Sequence, residues 1–193
     1  MPTPVWPAAG IRYRTRRFRR NARGSAAVEF ALVAPLFFAL LFATLEFALM
    51  FFASQYLETV TQDSARMILT GQAQGAKFDK AQFKMSLCSR VVALFDCENG
   101  VMIDVKAYSS FAAITAADLA PPIDPDTRSF IDNMRYEPGG AGEIVMVRVF
   151  YQWQLYVIGL GFDISNLAGG KRLLMATAAF RNEPFGAAPG PGS

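Results

Sequence analysis

The stretch FALVAPLFFALLFATLEFALMFFA, residues 30–53, decides the architecture of this 193-residue chain. It carries one ionisable residue, Glu46. As a helix rising about 1.5 Å per residue it extends roughly 36 Å, enough to cross a bilayer. A core helix of a globular domain seldom runs so long without a polar face, so the pattern predicts a transmembrane helix. The nearest competitor, residues 155–162, is too short and is interrupted by Gly159 and Gly161. The excess in the 52% hydrophobic content thus belongs mainly to one anchor.

The flanks of this helix differ in charge. Arg12, Arg14, Arg16, Arg17, Arg19, Arg20 and Arg23 precede Gly24 with no acidic residue among them. Residues 54–63 carry Glu58 and Asp63 but neither lysine nor arginine. The positive-inside rule then puts the N-terminus in the cytoplasm and everything after about Ser54 outside it. The net charge of +3 and pI near 9.0 come from the leader. Without its seven arginines, twelve basic residues face sixteen acidic ones, about −4 net, which argues against a body that grips nucleic acid.

Several chemistries are excluded by composition. The chain has no histidine, which removes the commonest general base, the serine-histidine and cysteine-histidine nucleophiles, and histidine metal sites. Cys88 and Cys97 are the two cysteines and form no CxxC motif, so zinc ribbons and thioredoxin-type sites are absent. No catalytic residue, metal site or cofactor is indicated.

Beyond Ser54 the helix is expected to continue as an amphipathic arm, with Leu57, Val60, Ser64, Met67 and Ile68 on one face and Glu58, Gln62 and Arg66 on others, ending at Gly71 to Gly75. Asp79 with Gln82 three places on signals a second helix, striped by Phe83, Leu87, Val91, Leu94 and Phe95. Continuous helix would hold Cys88 and Cys97 about 13 Å apart, beyond the roughly 7 Å limit for a disulfide. A bridge therefore requires a turn near Asp96, which AspCysGluAsnGly supplies; the oxidising exterior favours the bridge over two free buried thiols.

Three segments read as strands of a small antiparallel sheet: Val101 to Tyr108, Glu143 to Gln154 and Lys171 to Phe180. The connection between the first two is rich in proline and glycine, with a short helix expected at Thr127 to Met134. Its Asp118, Asp124, Asp126 and Asp132 lack EF-hand spacing and read as solvated loop charges rather than a calcium site. The fold class is α+β, with an anchor helix, an arm, a second helix and about three strands.

A secretory signal places small residues after its apolar stretch. Here they come before it, in ArgGlySerAlaAlaValGluPhe, residues 23–30. This glycine junction, with Glu29 at the fifth place after it and Phe30 following, resembles type IV prepilin-like substrates, in the version found in Flp and tight-adherence (Tad) systems. LeuGluPhe around Glu46 and AlaAlaPheArgAsnGluProPhe, residues 178–185, resemble segments of TadE-like proteins, minor pilins or pseudopilins of that system. The middle of the chain, from about Gly71 to Gln154, carries no such signature.

The resemblance implies a noncatalytic, pilin-like subunit cut by a prepilin peptidase between Gly24 and Ser25. The divisions are then a leader over 1–24, a transmembrane helix over 25–54, an extracytoplasmic domain over 55–185 and a tail over 186–193. Implied partners are the peptidase, other Tad pilins and pseudopilins, the inner-membrane assembly platform and the lipid bilayer of a bacterial inner membrane. Cleavage frees an α-amine on Ser25, for which Glu29 of a neighbouring subunit is a suitable counter-charge that also fixes axial register. Alternatively Glu29 only faces the headgroups or the helix dipole. For Glu46, outward snorkelling and contact with a partner both remain open. Arg181 and Glu183 are expected to tie the sheet edge to the arm. The rival from another class is a signal-anchored extracytoplasmic enzyme, binding protein or scaffold.

Overall fold

The computed structural model describes residues 24–91, 95–157 and 163–185. The chain divides into two compact units, residues 1–45 and 46–193. Most of the expected basic leader, the Leu94 position and the expected C-terminal tail lie outside the described residues.

Within the first unit the described chain is helical from Ser25, the start of helix α1 (Ser25–Leu69), which runs through Pro35 without a break. Before Glu46 the large apolar side chains of this helix are exposed: Phe30 by 69%, Leu32 by 75% and Leu36 by 66%. Only 6% of the most apolar window of this helix is buried, the reverse of a core helix, and the helix is long and apolar enough to cross a membrane.

The second unit is a layered α+β body. The arm of α1 turns Ala53, Leu57, Val60, Ala65 and Ile68 into the core and leaves Glu58, Gln62 and Arg66 exposed, as the 3.6-residue period demands. Helix α2 (Gln72–Gly75) and helix α3 (Lys80–Cys88) follow. The α3 start is a reciprocal capping box: Asp79 Oδ1 accepts the Gln82 N–H at 2.7 Å, and Gln82 Oε1 accepts the Asp79 N–H at 3.0 Å.

Next come helix α4 (Cys97–Gly100), strand β1 (Val101–Tyr108), a 3₁₀ turn (Phe111–Ala113), helix α5 (Ala116–Leu119), strand β2 (Ile144–Gln154) and strand β3 (Lys171–Arg181). The sheet is antiparallel, in the order β1-β2-β3. On one face Val101, Ile103, Val105, Val145, Val147 and Val149 pack with the arm and with Phe83 and Leu87 of α3. On the other face Phe150, Leu167 and Leu173 form a smaller cluster with Ile123 and Phe130. The central strand β2 is consequently buried on both faces over Ile144 to Phe150, which suits its nearly unbroken apolar run.

Three local expectations need correction, whereas the arm ends as expected just before Gly71: α1 stops at Leu69, and Gln72–Gly75 then forms a separate helical turn that buries Ala73. Gly71 makes this possible with φ +75°, and a side chain there would collide with the Phe185 ring.

The α3 stripe breaks early. Helix ends at Cys88 and the chain turns at Ser89 and Arg90, so Val91 and Phe95 reach the core outside any helix, and the chain bends again at Phe95, next to Asp96 as expected. Cys88 and Cys97 are joined in a disulfide with Cα atoms 5.6 Å apart. Asp96 caps the short helix beyond by accepting the Asn99 N–H at 3.2 Å.

Residues 127–134 are not helical. Asp124 Oδ1 accepts the N–H groups of Asp126 at 3.1 Å and Thr127 at 2.7 Å, and Arg128 has φ 54°, a left-handed conformation that interrupts a right-handed helix. The short helix of this connection is instead Ala116–Leu119.

Finally, the arm is tied to the sheet by backbone rather than by the Arg181 and Glu183 side chains as a pair. The Glu183 N–H donates to Leu69 O at 2.9 Å, while Arg181 Nε donates to Gly142 O at 2.9 Å.

Candidate functional site

The residues singled out from the sequence fall into three places. Gly24, the first described residue, has 3₁₀ conformation and immediately precedes Ser25, where the described part of α1 begins. A Cβ at Gly24 would meet nothing within 4 Å, so packing within the described chain does not require glycine there. Glu29 and Phe30 lie one turn in, both on exposed helix. A carboxylate near the N-terminal end of a helix is also favourable toward the helix dipole, by about 0.3 to 1 kcal/mol.

The second place is Glu46, far along the same helix and within the second unit. Its carboxylate accepts two backbone N–H groups from the start of the β2–β3 connection, Tyr156 on Oε1 at 2.5 Å and Val157 on Oε2 at 3.0 Å. Both oxygens are thus engaged by the protein's own chain, across 110 and 111 residues of sequence. Charge-assisted bonds to backbone N–H offset much of the cost of withdrawing a carboxylate from water. The third place is the Cys88–Cys97 staple beside the α3 end.

One polar cluster was not singled out from the sequence. Asp104 and Arg148 stand directly opposite each other in the β1–β2 register. Their side chains are 1% and 4% exposed, and Arg148 Nη2 lies 2.6 Å from Asp104 Oδ2. Arg148 Nε donates to the same oxygen at 3.1 Å, while Nη1 donates to Asp118 O at 2.5 Å and Ala120 O at 3.2 Å. The Arg135 N–H donates to Asp104 Oδ1 at 2.9 Å. Arg148 also sits over the Phe150 ring, 5.2 Å from its centroid. The pair therefore fastens the long β1–β2 connection to the sheet.

Around this pair, Lys106 Nζ lies 3.7 Å from Asp104 and 3.6 Å from Asp118. Hydrogen bonds from the Thr115 hydroxyl and backbone hold the Asp118 carboxyl down at about 2. Burial first, and the nearby Asp118 carboxylate second, push the Tyr108 phenol up to about 12. Neither shift brings a group toward neutrality, where proton transfer is efficient. A lone arginine inside ValArgVal of a central strand was the available sequence signal. Among the described residues no group of three or more histidine, cysteine, aspartate or glutamate side chains could hold a metal.

The described residues define a class: a protein with an N-terminal helix long and apolar enough to serve as a membrane anchor and an α+β body carrying a three-stranded antiparallel sheet. Within that class, the family model for TadE-like proteins matches residues 24–66, from the glycine junction to the arm. The match covers the anchor and the arm and agrees with the resemblance seen in the sequence. No curated protein and no solved structure matches it.

Proposed function

We propose that this chain is a noncatalytic minor pilin or pseudopilin of a Tad-type pilus, cleaved between Gly24 and Ser25 by a prepilin peptidase and then used in pilus assembly and adhesion. The observation that carries this reading is the coincidence of two boundaries: the glycine junction between the arginine-rich segment and the apolar stretch, and the start of the TadE-like match, both fall at Gly24. A peptidase working at the membrane surface needs such a junction between a polar leader and an apolar helix.

In this reading the arginine leader stays cytoplasmic, α1 crosses the inner membrane and the body stands outside. The disulfide suits that compartment. The exposed apolar side chains of α1 meet lipid before assembly and other pilin helices afterwards. Glu29 then neutralises the Ser25 α-amine of a neighbour and sets the axial offset.

The test is the N-terminus of the mature protein, read from membranes of cells with and without the prepilin peptidase. Ser25 at the N-terminus only when the peptidase is present supports the proposal. Retention of the leader in both overturns it and leaves a signal-anchored binding protein, scaffold or enzyme.

A further inference from the structure

Glu46 stands seven residues before Ala53, the first fully buried residue of the arm. At about 1.5 Å per residue this is about 10 Å along the helix axis, more than the roughly 5 to 7 Å of polar headgroup on one side of a bilayer. Yet Glu46 is already part of the body, because it holds the backbone of Tyr156 and Val157. The body therefore extends down the apolar helix past its own hydrophobic core.

The surface in that interval is apolar and uncovered. Phe47 is 44% exposed, Leu49 53%, Phe51 67% and Phe52 57%, and Tyr156 beside them is 85% exposed. From Phe47 to Phe52 there is no polar side chain. In sequence these residues close the apolar run 30–53, and tyrosine, apolar in its ring and polar at its tip, is enriched where hydrocarbon meets headgroups. Satisfying the Glu46 carboxylate with two N–H groups is what a charge needs at a depth where water is scarce.

From this we infer that the Tyr156 turn is a lipid-contacting element, latched to Glu46 and seated with the Phe47 to Phe52 surface at the headgroup–hydrocarbon boundary. The body is then keyed into the membrane rather than carried above it on a free stem. The inference rests on the membrane-anchor part of the proposed function and adds the bilayer as the occupant of this surface.

The test uses the full chain in phospholipid vesicles, with Trp6→Phe and Trp153→Phe removing the native tryptophans. Tyr156→Trp reports on the turn, Leu40→Trp on the span and Phe111→Trp on exposed loop. With lipids brominated high in the acyl chain, Tyr156→Trp fluorescence should fall at least about twofold while Phe111→Trp is unaffected. Adding Glu46→Ala should remove at least about half of that quenching, because the latch is lost.

Quenching of Leu40→Trp but not Tyr156→Trp overturns the inference while leaving the anchor intact; absence of both overturns the anchor as well. A Tyr156→Trp probe shielded from acrylamide and untouched by bromolipid overturns it in favour of a protein neighbour. Hydroxyl-radical footprinting of the unmodified protein gives the same decision without substitutions. Tyr156 should be protected in vesicles while Phe111, 57% exposed, is oxidised; equal oxidation of the two overturns the inference.

Discussion

Replacing Asp104 with asparagine keeps the shape of the side chain and deletes its charge. Arg148 is 3% exposed and would then hold a buried cation with no carboxylate beside it. Removing one member of a buried ion pair costs about 3 to 5 kcal/mol, because the remaining charge is left uncompensated. Asparagine keeps one acceptor oxygen for either the Arg135 N–H, now on Oδ1, or the Arg148 donors, now on Oδ2, and turns an amide donor toward the other, which places the expected loss toward the upper end of that range.

For a chain of this size the loss corresponds to a fall in Tm of about 6 to 20 °C. Near-ultraviolet circular dichroism of the full chain in detergent is the suitable assay. It follows the Trp153 environment, packed 6.3 Å from the Phe95 ring, whereas far-ultraviolet signal is dominated by an anchor helix that detergent preserves. The double substitution Asp104→Leu with Arg148→Met should recover most of the loss, since no lone charge remains. Full recovery is not expected, because the Asp118 and Ala120 carbonyls lose the Arg148 donors, at about 1 kcal/mol each. A single substitution costing less than about 1 kcal/mol, or a double substitution as damaging as the single one, would refute the assignment of Arg148 and Asp104 as an interdependent fastening.

Reducing the Cys88–Cys97 bridge opens a loop of sequence separation 9, which the chain-entropy model values at about 2.5 kcal/mol; thermal unfolding with and without reductant should show this loss, and the oxidised protein should contain no alkylatable thiol. Asp118 has a depressed folded pKa of about 2, so the stability it contributes is present above its unfolded value of about 3.9 and is lost as pH falls through about 2. Thr115→Ala should raise that folded pKa and shift acid unfolding of the β1–β2 connection to higher pH; an unchanged acid midpoint would remove Thr115 as the cause. Glu29→Ala should leave cleavage after Gly24 intact and reduce incorporation into the pilus, and normal assembly of this variant would sink the register role.

What the sequence determined is what depends on near neighbours. Twenty-four residues with a single charge read as a membrane helix because hydropathy is a property of composition over a window. Asp79 and Gln82 read as a helix start because a capping box closes over three residues. The strands were legible to within one residue because alternating and β-branched runs carry their own period.

The misplaced helix at 127–134 marks the boundary of that legibility. The same residues fit a helical window until Asp124 captures two downstream N–H groups and Arg128 turns left-handed. Only tertiary structure decided that Arg148 would meet Asp104, 44 positions away, because that pairing is a consequence of strand register. Only tertiary structure decided that Glu46 would hold the Tyr156 backbone. A carboxylate in an apolar run announces that it needs a donor; which donor arrives depends on where the folded sheet delivers its connecting turn.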